Sequence, residues 1–148
     1  MILDERLEFA DATALSTSGT GRALVGDVID LTTGDFGHEP LYLVIQVTTA
    51  VTSGGSATVA FELASDAAAG IATDGTATQH WGSASIAKAT LTAGYTQIIP
   101  IPPSTTSNPY ERYVGILQNV STAALTAGAI NAVITHDPHN WTSYPDAL

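Results

Sequence analysis

Cysteine is absent from the 148 residues, so disulfides and thiolate metal ligands are excluded and stability owes nothing to the redox compartment. Positive charge is nearly absent as well. Arg6, Arg22, Lys88 and Arg112 stand against 14 acids, for a formal net charge of −10. Four scattered cations cannot displace the counterions of a nucleic-acid backbone, so direct contact with DNA or RNA is not expected. Charge of either sign is sparse, at 12% of residues, which leaves Ser, Thr, Gly and Ala to cover the surface. Such a covering suits a protein lodged against another surface, and equally a Thr-rich β domain of a secreted protein.

Long apolar runs are also missing. No segment reaches the roughly 18 to 20 continuous apolar residues that span a bilayer, so no membrane partner is expected. The N-terminal "MILDERLEFADATAL" carries acids where a signal peptide carries basic residues, and it has no apolar h-region. The chain therefore reads as a complete product that is not exported. Its length fits one domain, residues 1–148, large enough to bury roughly two-thirds of the surface of the unfolded chain.

What is present is strand pattern. "ATVAFELAS" (57–65) sets Val59, Phe61 and Leu63 on one face against Thr58, Ala60 and Glu62 on the other. Further strands are predicted at 23–31, 41–51, 80–87, 96–101, 112–120 and 129–136. Gly54 and Gly55, in "TSGGS", predict a hairpin connection whose flanking strands pair antiparallel. Pro100 and Pro102 cannot donate ladder hydrogen bonds, which puts the 96–101 strand at a sheet edge. The best helix candidate, "SDAAAGIA" (65–72), is interrupted by Gly70. Short strands separated by turn signals predict an all-β, two-sheet antiparallel β-sandwich or barrel.

The longest apolar run, "LYLVIQVTTAV" (41–51), is apolar on both faces: Leu43, Ile45 and Val47 on one, Tyr42, Val44 and Ala50 on the other. A central strand buries one face on the opposing sheet, and the second needs a loop, a terminus or a partner subunit to cover it. The ends of the chain, 1–12 and 137–148, read as extended tails that are too apolar to be idle. Ile2, Leu3, Leu7 and Phe9 at one end, Trp141, Tyr144 and Leu148 at the other, and Tyr42 on the second strand face are the expected interface residues.

Signals for chemistry are weak. "HDPHNW" places His136, Asp137 and His139 close together, ligand types that zinc accepts, but Pro138 makes the segment a turn after the last strand. Asp30, Asp35 and Glu39 surround glycines in "DLTTGDFGHE" without the ligand alternation of a calcium loop, so a plain connecting loop is expected. There is no G-x-S-x-G, "GTGR" (19–22) opens no helix, and no serine is nominated as a nucleophile. No catalytic residue, metal or cofactor is expected, and the chain is not expected to be an enzyme. The sequons at Asn119 and Asn140 lack an export signal. Trp81, Trp141, Tyr95, Tyr110, Tyr113 and Tyr144 suit core or interface better than a sugar-stacking platform, although a carbohydrate- or receptor-binding β-sandwich of a phage tail or adhesin is the alternative function.

"MILDERLEFADA" (1–12), "DVIDLTTGDFGHEPLYLVIQV" (27–47), "ATVAFELASD" (57–66), "ERYVGILQNV" (111–120) and "SYPDAL" (143–148) resemble the capsid cement (decoration) proteins of tailed bacteriophages, the type described from a Bordetella phage. The resemblance runs nearly end to end. It implies a jelly-roll β-sandwich, made in the bacterial host cytoplasm, that self-associates as a dimer or trimer on the outer capsid surface of the virion. There it would clamp neighbouring subunits of the major capsid protein.

Overall fold

The computed structural model describes residues 4–32, 35–37 and 39–138 and shows two antiparallel sheets packed face to face. In the first, β1 (Glu8–Ala14) bonds to β9 (Ala127–Thr135), β9 to β3 (Tyr42–Thr52), and β3 to β7 (Thr96–Pro100). The second runs β2 (Gly21–Asp30), β8 (Tyr113–Ser121), β4 (Thr58–Asp66), β5 (Thr78–Gly82), with the two-residue β6 (Ile86–Ala87) beside β4. Apart from β6, early and late strands alternate across both sheets, the arrangement of a jelly roll. The all-β sandwich expected from the sequence is the observed fold.

The core is built from alternate residues on the facing strands. Leu43, Ile45 and Val47 of β3 and Ile130, Ala132 and Ile134 of β9 meet Val59, Phe61 and Leu63 of β4 and Val114, Ile116 and Val120 of β8. A smaller cluster lies outside the second sheet, where Ile71, in the β4–β5 loop, packs on Ala64 and Leu117. Apolar side chains on both faces of β4 and β8 follow from having a sheet on one side and a loop on the other.

Three expectations need correction. Residues 8–12, read as part of an N-terminal tail, belong to β1 and are bonded to β9. The apolar content of that segment is core content, because Phe9 is 0% exposed within its own chain. The strands flanking Gly54 and Gly55 do not form a hairpin: β3 lies in one sheet and β4 in the other. Residues 53–57 cross between the sheets, and Ser53 ties the crossing down, its Oγ donating to the Ala124 carbonyl while its own carbonyl accepts from Lys88 Nζ. The segment predicted as one strand at 80–87 is broken into β5 and β6, with Ser83 Oγ accepting the Phe61 N–H between them.

Two buried amides replace missing strand pairing. The β1 ladder slips register twice, and at Ala12, where φ is +43°, the N–H is taken by Asn131 Oδ1. Gln118 holds the backbone of Ser16 at both ends, accepting from its N–H at 2.7 Å and donating to its carbonyl at 3.0 Å. Each satisfies a backbone group that the irregular segment leaves unpaired.

Candidate interaction surfaces

Strand β7 has β3 on one side only and is one of the two edges of the four-stranded sheet, as the prolines predict. Its Ile98, opposite Val44, is 47% exposed and is the one large apolar side chain found exposed among the described residues. Val44 itself, between the inward-facing Leu43 and Ile45, points away from the interior by strand alternation, yet is 0% exposed. Its register partner on β9, Val133, is nearly as buried. The second face of the 41–51 run is thus already shielded at these positions within a single chain, without a sister subunit.

The expected interface residues are not gathered into one site. Leu7 ends a 3-10 turn (Glu5–Leu7) and leans partly buried on the core. Phe9 is a core residue, so its assignment to an outward interface is withdrawn: a side chain with no exposed surface has none to offer a partner. Tyr42 is half-buried at the start of β3, beside Pro100 and Thr135. Ile2, Leu3, Trp141, Tyr144 and Leu148 lie outside the described residues. Of the other aromatics, Tyr110 is buried, Trp81 and Tyr95 pack on the core, and Tyr113 packs on the smaller cluster with Arg112 over its ring.

At the end of the sandwich where β2, β4, β7 and β9 finish, residues 35–37 and 39–41, with 101–104 and Tyr110, line a cleft of about 260 Å3. Phe36, Pro40, Leu41, Ile101, Pro102 and Pro103 make its walls apolar, and Asp35 and Glu39 line it with carboxylates. Asp30, the first acid of the calcium-like run, is gripped by Arg112 through Nε at 2.9 Å and Nη2 at 2.8 Å. That pair holds the Asp30 carboxyl below its usual range, mainly through the guanidinium hydrogen bond. Glu39 Oε2 lies 3.4 Å from His136 Nε2. Among the described residues, no three His, Asp or Glu side chains stand together as a metal cage.

Behind the cleft is a grouping that the sequence did not reveal. Ser65 Oγ is 2.7 Å from His80 Nε2, and the Asn108 amide is 3.4 Å from His80 Nδ1. The order suggests a nucleophile, a base and an orienting amide. Accessibility argues otherwise: Ser65 is 0% exposed, and its Oγ already accepts the Glu111 N–H at 3.0 Å. The cluster fastens the 101–112 loop to β4 and β5. His80 also stacks on Tyr110 with centroids 3.7 Å apart, Tyr110 meets Phe36 edge-on, and the Tyr110 hydroxyl donates to the Pro102 carbonyl.

Burial pushes His80 below the ordinary imidazole range, with Glu111 opposing more weakly. The folded chain therefore prefers neutral His80, and the unfolded chain takes up the proton first as pH falls. Its contribution is complete above the unfolded value of about 6.5 and is lost as pH falls from there towards the folded value. Urea unfolding between pH 7.5 and 5 should show a midpoint that drops in this window, and His80→Gln should flatten it. A wild-type midpoint unchanged across the window would disprove the coupling.

The sequence model of the Bbp16 family matches residues 9–134, which run from the second residue of β1 to the last but one of β9. The chain belongs to the Bbp16 family. The family's name points to a Bordetella phage protein. The match covers both sheets and the cleft loops, and leaves the two chain ends outside it. None of the curated proteins matches the chain.

Proposed function

We propose that this Bbp16-family chain is a structural virion protein that decorates the outside of a tailed-phage icosahedral capsid. In this reading it stabilises the shell by bridging neighbouring major capsid subunits, acts as a homo-oligomer and performs no catalysis. Family membership across residues 9–134 carries the reading. Two features of the chain support it. The surface is poor in charge, and the four-stranded sheet ends in an open edge bearing the exposed Ile98, the kind of strand to which another chain adds by β-augmentation. A shell full of DNA is pushed outward, and a clamp resists by burying surface across subunit joints, repetition multiplying a modest local affinity.

Light scattering on the purified protein followed by co-sedimentation with undecorated shells tests the proposal. A discrete dimer or trimer that pellets with shells is the expected result, with the pelleted fraction reduced by deletion of residues 141–148. A monomer that stays in the supernatant at every shell concentration would refute the proposal and direct attention to glycan or receptor binding.

A further inference from the structure

Among the described residues, β1 and β7 edge the first sheet and β2 and β5 the second. Edge strands invite further pairing unless charge, irregularity or cover prevents it. β1 carries Glu8 and Asp11 and slips register twice, and β2 carries Arg22, Asp27 and Asp30. β5 is met by the 101–112 loop, whose Asn108 Nδ2 donates to the Gln79 carbonyl. β7 has no charged residue and keeps one unbroken register with β3.

The ladder defines which of its groups are open. Tyr95 and Ile101, just outside the two ends of β7, bond to Val47 and Leu41. By antiparallel alternation Gln97 and Ile99 also face β3, so Thr96, Ile98 and Pro100 turn their backbone groups outward. All three are exposed. Their side chains also leave the core, on which Tyr95, Ile99 and Ile101 pack. Unbonded backbone and the 47% exposed Ile98 side chain therefore share one seam.

The seam is neutral over a wide area. No charged residue occurs between 89 and 110, nor between 40 and 61, the span that holds β3. Two copies with a net charge of −10 each repel wherever their acids face one another, and at this seam no acids do. We infer that β7 pairs antiparallel with β7 of a second copy, about a two-fold axis at Ile98. Each Ile98 then exchanges both backbone bonds with its counterpart and covers the counterpart's side chain. Thr96 donates to the carbonyl of Pro100 of the partner subunit, and the proline, with no N–H to return, ends the ladder. The inference rests on the homo-oligomer part of the decoration reading and names the surface and symmetry that part leaves open. So short a seam makes a weak dimer, and screening of the remote acids makes it tighten as salt rises.

Sedimentation velocity on the full chain over a concentration series tests the pairing. Wild-type protein is expected to dimerise, more tightly at high salt than at low. Ile98→Asp sets like charges on the axis, and Thr96→Pro deletes a donor that faces away from β3. Each should weaken dimerisation about tenfold or more, with the urea midpoint of the monomer unchanged. Because the chain lacks cysteine, Ile98→Cys gives one thiol per copy. Opposed bonded residues hold their Cα atoms about 5.5 Å apart, within disulfide reach, so this variant should cross-link into dimers on mild oxidation. Thr96→Cys, opposite Pro100 of the partner subunit, should cross-link far more slowly.

Wild-type protein that stays monomeric at every concentration, variants that dimerise like wild type, or equal cross-linking at 96 and 98 would overturn the edge assignment. Shell co-sedimentation separates that failure from failure of the decoration reading. Any of those results in a chain that still pellets with shells overturns the β7 pairing and leaves decoration standing. A wild-type dimer that depends on Ile98 yet never pellets supports the pairing and removes decoration.

Discussion

Gly26→Ala should be among the most damaging single-methyl additions to this protein. Gly26 lies in β2 where the register with β8 breaks between Val25 and Ile29, with φ at +71°. An alanine there is strained by about 1–2 kcal/mol from its backbone conformation alone. The added Cβ would also stand 1.9 Å from the Phe9 carbonyl oxygen and 3.2 Å from the Ala10 Cα. Those are backbone atoms of β1, so no rotamer change relieves the overlap; β1 or β2 has to move. Moving β1 drags Phe9 from the core. A total loss of about 3 kcal/mol or more is expected, read as a lower urea midpoint. Gly54→Ala is the control, because Gly54 has open space around the added methyl and should change little. A Gly26→Ala midpoint indistinguishable from that of the control would show that the corner between the sheets yields freely.

The second large effect concerns the charge buried on the outer side of the second sheet. Glu62 is only 5% exposed and lines a small pocket with Ala72, Gly75 and Ala77 of the β4–β5 loop. Its Oε2 meets Arg22 Nε at 2.7 Å and its Oε1 accepts from Asn119 Nδ2 at 3.0 Å. Arg22→Met removes the guanidinium and leaves a carboxylate out of water with one amide for company. Breaking a buried pair this way costs about 3–5 kcal/mol, and the lower end applies because the Arg22 side chain keeps roughly a third of its surface in solvent. Arg22→Met/Glu62→Met should recover most of the loss, since the pair is replaced by apolar volume of similar size. A double variant no better than Arg22→Met would mean that the arginine stem, rather than its charge, stabilises the site.

Strand positions were legible from the sequence because alternation and turn residues are local signals. Val59, Phe61 and Leu63 announced β4, and Pro100 announced an edge. Which strands pair was not local. Gly54 and Gly55 permit a hairpin and equally permit a crossing between sheets, and the choice depends on partners far along the chain, β9 for β3 and β8 for β4. β1 was read as a tail because "EFADATA" is short and its ladder slips twice, so its period is blurred. The cleft was half visible, as Asp35 and Glu39 in the loop that ends at Pro40 and Leu41. The opposing wall is set by Tyr110, placed by a stack on His80 thirty residues earlier that no spacing rule encodes.

Among the described residues the first and last strands lie side by side, β1 against β9, and β9 in turn separates β1 from β3. β3 and β7 can pair without β9, but β1 has no ladder partner in that sheet until β9 arrives. The sheet is completed only by a pairing between segments far apart in the sequence. Pairings of such long sequence separation form slowly. Until β9 arrives, the backbone groups of β1 that later bond to it stay open to other partners.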